Sequence, residues 1–147
     1  VKEYEGSKLR SLIVKKDGVT YFIDCYNANP DSMKAALKSI SEQKTSGRKV
    51  AVLGDMLELD LLSDELHYEI GYFAGLKGFD MVFAYGNYSQ KYAEGFIDAV
   101  GNVKNISLYN FGDVQKLKKD LNAFLKNGDL VIIKGSRGMK LEEILSV

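Results

Sequence analysis

The strongest indication of the architecture is the stretch Leu130-Val131-Ile132-Ile133-Lys134-Gly135-Ser136-Arg137-Gly138 near the end of the chain. Four consecutive apolar residues that run into glycines and charged residues are typical of a strand buried on both faces of a sheet. The same pattern occurs at 49–53 and 81–85, and in a weaker form at 106–109. Strands of this kind are typical of parallel sheets, so the sequence predicts one.

Segments of helical periodicity lie between these apolar runs. Apolar residues recur every three or four positions after Pro30, after Ser63, and across 88–100 and 114–125. A last helix is expected at about 139–145. The chain therefore alternates strands and helices along most of its length.

Two further apolar runs, at 9–14 and 19–23, enclose the turn Lys15-Lys16-Asp17-Gly18. An Asp-Gly pair between two such runs predicts a β-hairpin. Together these patterns predict an α/β domain of three layers, with a mostly parallel sheet, an antiparallel N-terminal hairpin at its edge and helices on both faces.

Composition limits the classes of function. The 147 residues fit one compact domain, and 20 basic residues balance 20 acidic ones, so no overall field favours nucleic acid or an anionic membrane. No apolar run approaches the roughly 20 residues of a membrane span. The single cysteine cannot form an internal disulfide, which indicates a cytoplasmic protein. The polar start at 1–6 resembles an interdomain linker and predicts a fragment of a longer chain.

Several common catalytic motifs are absent from the sequence. Neither the glycine-rich dinucleotide motif nor the phosphate-binding loop of ATPases follows any predicted strand. One histidine and one cysteine supply neither a metal-ligand cluster nor a nucleophile with its base. Any nucleotide chemistry is therefore expected to depend on another domain.

Four loops with unusual sequences follow predicted strands, at 24–30, 54–59, 85–89 and 134–139. In open sheets of this kind, ligands bind beyond the carboxyl ends of the strands. We expect the four loops to lie together and to form the site.

The first of these loops carries Asp24, Tyr26, Asn27 and Asn29. A carboxylate, a phenol and two amides offer polar contacts to a ligand. Ordinary turn chemistry explains the same residues equally well, because Asn and Asp bond their own backbone and Pro30 suits the start of a helix.

The last of these loops carries Lys134 and Arg137 among glycines that let backbone N–H groups approach an anion. Cations oppose the dipole at a helix N-terminus, which favours an anionic partner over two solvated cations. Gly54 and Asp55, where the chain leaves the predicted strand 49–53, are weaker evidence for a binding site, because loops that follow strands are often polar for structural reasons.

The only histidine and the only cysteine are interpreted as structural residues. His67 lies within a predicted helix, directly after Leu66, and a partly exposed structural role is expected for it. Cys25 is interpreted as a small packing residue rather than a nucleophile.

Four segments together, at 24–33, 52–59, 63–71 and 133–139, closely resemble the C-terminal domain of the Mur ligase family in order and spacing. The run Tyr26-Asn27-Ala28-Asn29 points to the members that add D-alanyl-D-alanine (D-Ala-D-Ala) to UDP-N-acetylmuramoyl-tripeptide (UDP-MurNAc-tripeptide). The resemblance covers nearly the whole chain. It implies one Rossmann-like domain over 1–147, with the N-terminal UDP-sugar domain and the central ATP-binding domain outside this chain.

The resemblance also implies a reaction. ATP phosphorylates the tripeptide carboxylate, and the amine of D-Ala-D-Ala then attacks the resulting acyl phosphate. ATP and Mg²⁺ would be bound mainly by the central domain, whereas this domain would position the dipeptide, close over ATP and be inactive alone. No catalytic residue and no metal ligand are expected in it.

Residue roles follow from the same resemblance. The ATP-facing, closure-sensing loop would contain Asp24, Tyr26, Asn27 and Asn29. The dipeptide side would contain Lys134, Ser136 and Arg137, and a planar guanidinium suits a terminal carboxylate. Gly54 and Asp55 would order the neighbouring loop.

Two alternatives stay open. Other ATP-dependent amino-acid ligases, with polyglutamate or cyanophycin-like products, share this architecture but should lack the tyrosine-asparagine run. A noncatalytic small-molecule-binding module derived from the ligase fold would lack an upstream phosphate-loop domain.

Overall fold

A computed structural model describes residues 2–3 and 12–145 of the chain, and its centre is one seven-stranded sheet. The strand order is β1-β2-β3-β7-β4-β5-β6; the pairs β1–β2 and β2–β3 are antiparallel and the other four pairs are parallel. The predicted mostly parallel sheet with an antiparallel edge is thereby confirmed. The strands are β1 (Lys2–Glu3), β2 (Leu12–Lys16), β3 (Val19–Asp24), β4 (Lys49–Gly54), β5 (Met81–Tyr85), β6 (Ile106–Tyr109) and β7 (Leu130–Lys134).

The N-terminal edge differs from the prediction at its outermost strand: Lys2–Glu3 pairs with β2, although the stretch that contains it was expected to be a linker. The predicted Asp-Gly hairpin turn is confirmed. Asp17 and Gly18 both take positive φ values, 54° and 79°, which suit a two-residue turn, and β2 runs on to Lys16, two residues past its predicted end. The predicted strand residues 9–11 lie outside the described residues.

Within the described part of the chain, four α-helices connect the strands. Their bounds are α1 (Pro30–Ser41), α2 (Ser63–Leu76), α3 (Ser89–Val100) and α4 (Val114–Phe124). The helix expected at 139–145 is wrong. Two short 3₁₀ helices, Arg137–Met139 and Leu141–Leu145, stand there instead, separated by Lys140 in the left-handed region at φ 55°. A left-handed residue interrupts the α-helical hydrogen-bond ladder, and 3₁₀ geometry is usual in such short pieces.

The core has two parts, one on each face of the sheet. On one face, Met33 of α1, Ile70 of α2 and Phe96 of α3 pack on the sheet. On the other face, Leu121 of α4 and Ile144 of the last 3₁₀ helix do so. Successive strand residues alternate between the two parts, as the pleat requires. The predicted three-layer arrangement is confirmed. Within the described ranges, no helix has the length and apolar character needed to span a bilayer.

Candidate functional site

The four loops that were expected to cluster do lie together. They follow β3, β7, β4 and β5, which are neighbours in that order in the sheet. Hydrogen bonds link the loops: Ser136 N donates to Asp55 O at 3.0 Å, and Leu57 N donates to Ser136 Oγ at 2.9 Å. The loops that follow β4 and β7 are therefore joined directly at the carboxyl edge of the sheet.

Lys134, the last residue of β7, fixes the loop between β3 and α1. Its ammonium donates to Asp24 Oδ2 at 2.7 Å and to the Asn27 carbonyl at 2.9 Å. The lysine side chain is only 2% exposed, whereas that of Asp24 is 35% exposed. Lys134 and Asp24 were expected on different sides of the site; the structure joins them in one ion pair.

Asn29 caps the helix that follows the loop. Its Oδ1 accepts a hydrogen bond from Ser32 N at 2.8 Å, while Asn29 N donates to Ser32 Oγ at 3.1 Å. This reciprocal pair is a capping box, and Pro30 follows it at the first helical position. The side chain of Asn29 thus stabilises α1, whereas Asn27 leaves its side chain exposed.

Arg137 stacks on Tyr26. The guanidinium carbon lies 4.7 Å from the centre of the phenol ring, within the range of a cation–π contact. Arg137 is exposed and Tyr26 is half-buried. The salt bridges formed within residues 12–145 do not include Arg137. The stack therefore connects the loop that was expected to face ATP with the loop that was expected to face the dipeptide.

Asp55 connects the β4 exit to the start of α3. The residue is 1% exposed, and its carboxylate accepts hydrogen bonds from Asn87 N at 2.8 Å and Tyr88 N at 2.9 Å. A negative charge is favourable at the amino end of a helix. Gly86 makes this approach possible, because a Cβ atom there would lie 2.5 Å from the Asp55 carboxylate.

The exits of β4 and β7 approach each other closely at two glycines. A Cβ atom on Gly135 would lie 2.9 Å from the Cα atom of Gly54. The Gly54 carbonyl accepts a hydrogen bond from the Tyr92 hydroxyl at 2.6 Å. Ser136, 8% exposed, is held by the two loop hydrogen bonds given above. This part of the site is therefore tightly packed.

His67 is fully buried, so the prediction of a partly exposed residue is wrong. Its Nε2 accepts a hydrogen bond from Met56 N at 2.9 Å, and its Nδ1 lies 2.7 Å from Ser63 O. The ring also stacks on Tyr88 at 4.4 Å. Burial lowers the pKa of His67, so the imidazole is neutral at neutral pH. Because Nε2 accepts the hydrogen bond from Met56 N, the proton of the neutral ring lies on Nδ1. The helical spacing of His67 with the buried Ile70 and Ala74 is the signal that indicates burial.

Cys25 packs in the core beneath the site. It is 4% exposed, and burial raises the pKa of its thiol to about 12. A thiol with so high a pKa is not a nucleophile at neutral pH, which agrees with the packing role expected for it. Among the described residues, no group of three or more His, Cys, Asp or Glu side chains is arranged to hold a metal ion.

Comparisons with known proteins agree with this geometry. The family model described as Mur ligase, glutamate ligase domain, matches residues 10–137. The UDP-N-acetylmuramoyl-tripeptide–D-alanyl-D-alanine ligase of Bacillus subtilis is 37% identical over 138 residues, which are 93% of this chain and 30% of that ligase. The ligase of the same name from Treponema pallidum is 36% identical over 130 residues, 86% of this chain and 27% of the relative.

Solved structures show the same relationship. A structure of MurF from Acinetobacter baumannii superposes with a TM-score of 0.80 at 25% identity, over 97% of this chain and 30% of that one. The MurF ligase from Thermotoga maritima in complex with ADP superposes with a TM-score of 0.72 at 29% identity, over 93% of this chain and 29% of that one. The chain spans less than a third of the length of these relatives. It belongs to the Mur ligase family, as a glutamate ligase domain.

Proposed function

We propose that this chain is the C-terminal domain of an ATP-dependent ligase that adds D-Ala-D-Ala to UDP-MurNAc-tripeptide in peptidoglycan precursor synthesis. The observation that carries the proposal is the 37% identity, over 93% of the chain, with a ligase that bears this name. The polar side chains at the carboxyl edge of the sheet support it as well, because the function of such a domain depends on the residues of its site and not on the fold alone.

The proposed reaction has two steps. The γ-phosphoryl group of ATP passes to the tripeptide carboxylate and gives an acyl phosphate. The amine of D-Ala-D-Ala then attacks the carbonyl carbon, and phosphate leaves as the amide forms. This chain would hold the amine against the activated carboxyl group, which lowers the barrier by proximity, and would keep water from the acyl phosphate.

Arg137 is proposed to bind the carboxylate of the incoming dipeptide. Its guanidinium is exposed at the carboxyl edge of the sheet, and a planar fork of N–H donors matches a carboxylate. Ser136 would hold the backbone that leads to it. Lys134 would act indirectly, because its ammonium already bonds Asp24 and the Asn27 carbonyl.

The loop between β3 and α1 is proposed to face ATP. Tyr26 and Asn27 would offer the ring and the exposed amide for contact with the nucleotide, while Asp24 and Asn29 hold the loop in place. The triphosphate of ATP and the Mg²⁺ ion would bind to another part of the longer enzyme. We expect the reaction to take place in the cytoplasm.

A domain exchange tests the proposal. This chain replaces the corresponding domain of the Bacillus subtilis ligase, and phosphate release is measured with ATP, Mg²⁺, UDP-MurNAc-tripeptide and D-Ala-D-Ala. We expect release that depends on the dipeptide. A chimaeric ligase that is folded by its melting curve but releases no phosphate when D-Ala-D-Ala is added would overturn the proposal.

A further inference from the structure

Two cations at the end of β7 hold the same short loop from two sides. Lys134 binds Asp24 and the carbonyl of Asn27, the residues on either side of a two-residue segment. Tyr26 lies in that segment, and its ring faces the guanidinium of Arg137 at 4.7 Å. Lys134 therefore holds the loop through a side chain before Tyr26 and through a backbone carbonyl after it.

The stack leaves the arginine able to bind an anion. A guanidinium that lies with its face on an aromatic ring keeps its N–H donors in the plane of the group, directed outward from the ring. An exposed arginine without such a surface loses considerable rotamer freedom when it binds a ligand. Contact with the ring removes part of that freedom in advance.

We infer that Tyr26 is a positioning residue for Arg137, and that the stack sets the selectivity of the site for an acceptor ending in a carboxylate over the same acceptor ending in a neutral amide. Lys134 supports this role through the loop. The inference rests on the proposed function, in which Arg137 binds the dipeptide carboxylate.

A purely structural stack predicts something different. If Tyr26 and Arg137 only join the two loops, removal of the ring lowers stability and slows the reaction with both acceptors alike. If Tyr26 orients the guanidinium, its removal slows the reaction with the acid more than with the amide. The ratio of the two kcat/KM values therefore separates the two roles.

The experiment uses the chimaeric ligase with D-Ala-D-Ala and D-Ala-D-Ala amide as acceptors. We expect Tyr26→Leu to lower the acid-to-amide ratio about two- to fivefold, the size of effect that an exposed cation–π contact gives. The loss should lie mainly in KM for the acid. Tyr26→Phe keeps the ring face and should keep the ratio. In the Arg137→Ala background, Tyr26→Leu should change the ratio no further, because the group that it positions is gone.

A matched control removes a similar stack elsewhere. Arg48 lies 3.9 Å from the ring centre of Phe124, at the opposite edge of the sheet. Phe124→Leu should lower the melting temperature and leave the acid-to-amide ratio unchanged.

A second replacement guards against misfolding of Tyr26→Leu. Pentafluorophenylalanine at position 26 keeps the shape of the ring but withdraws electron density from its face, so it should lower the ratio as the leucine does. An unchanged ratio in both variants, beside a lowered ratio in Arg137→Ala, overturns the inference and leaves the proposed function standing. If the unsubstituted chimaera makes no product with D-Ala-D-Ala, the proposed function falls and the inference falls with it.

Discussion

Arg137 offers the most specific test at the level of single residues. A charge-assisted hydrogen bond contributes roughly 1.5 to 3 kcal/mol, so Arg137→Ala in the chimaeric ligase should lower kcat/KM for the dipeptide about ten- to a hundredfold. KM for ATP should barely change. Arg137→Lys should recover only part of the loss, because an ammonium keeps the charge but not the planar fork.

Steady-state kinetics with the dipeptide varied, measured beside a melting curve, decide this prediction. An arginine that only anchors the 3₁₀ helix beginning at Arg137 would give a lower melting temperature and unchanged dipeptide kinetics. That result would remove Arg137 from the proposed binding site.

His67 predicts a dependence of stability on pH. Burial lowers its pKa below the ordinary value of 6.5, so the unfolded chain binds a proton more readily than the folded one. The contribution of His67 to the free energy of unfolding is complete above about pH 6.5 and is lost as the pH falls toward its pKa in the folded state. Protonation of Nε2 would also remove the acceptor for Met56 N.

Denaturant unfolding at pH 7.5 and pH 5.5 measures this effect, with His67→Gln as the comparison. The chain has one histidine, so few other groups titrate in this range. The wild-type chain should lose stability on acidification, and the variant should lose less. Equal losses in both proteins would mean that His67 is not the group responsible.

The location of Asp24 and Arg137 at the carboxyl edge of the sheet could be predicted, because each lies at or just after the end of an apolar run. Their contact partners could not. Lys134 reaches Asp24 across 110 positions of sequence only because β7 lies next to β3 in the sheet. Strand order is a tertiary property that no local pattern encodes. The contact between His67 and the backbone of Met56 depends instead on how α2 packs beside the loop after β4, which local patterns do not encode either.

Helices α2 and α3 pack through glycines, which gives a test at the level of elements. A Cβ atom on Gly95 would lie 2.0 Å from the carbonyl oxygen of Tyr68 and 2.7 Å from the nitrogen of Tyr72. These are backbone atoms, so the helices would have to separate. Gly95→Ala should therefore destabilise the chain by about 1–3 kcal/mol, even though alanine favours a helix.

Chemical denaturation of the 147-residue chain measures this effect. Gln90→Ala, at an exposed position of the same helix, is the control and should change stability by less than about 0.5 kcal/mol. A Gly95→Ala variant more stable than wild type would show that α2 and α3 approach less closely than described.

The elements themselves were largely predictable. Each buried strand is a short, nearly pure apolar run with its own stop signal, and each α-helix carries periodic apolar positions. The prediction of the last helix was wrong because the spacing of Leu141 and Ile144 fits a 3₁₀ helix as well as an α-helix. The left-handed backbone conformation of Lys140 has no signature in the sequence. The strand Lys2–Glu3 was not predicted, because two polar residues carry no strand pattern.

At the level of the whole molecule, we expect the chain to bind ATP weakly. No phosphate-binding loop occurs in its sequence, and contacts to the triphosphate normally dominate nucleotide affinity. Calorimetric titration should find a dissociation constant weaker than about 1 mM, or roughly 4 kcal/mol of binding. The chain alone should also release no phosphate from ATP with both substrates present. A micromolar constant would mean that the nucleotide site lies on this domain.

The proposed role of this chain is to select and hold one acceptor. The most direct test is acceptor competition in the chimaeric ligase, with D-Ala-D-Ala, glutamate, aspartate and arginine supplied together and the products identified by mass spectrometry. We expect a single product, UDP-MurNAc-tripeptide extended by D-Ala-D-Ala. A product that carries glutamate, aspartate or arginine, or no product from a folded chimaera, would contradict this role.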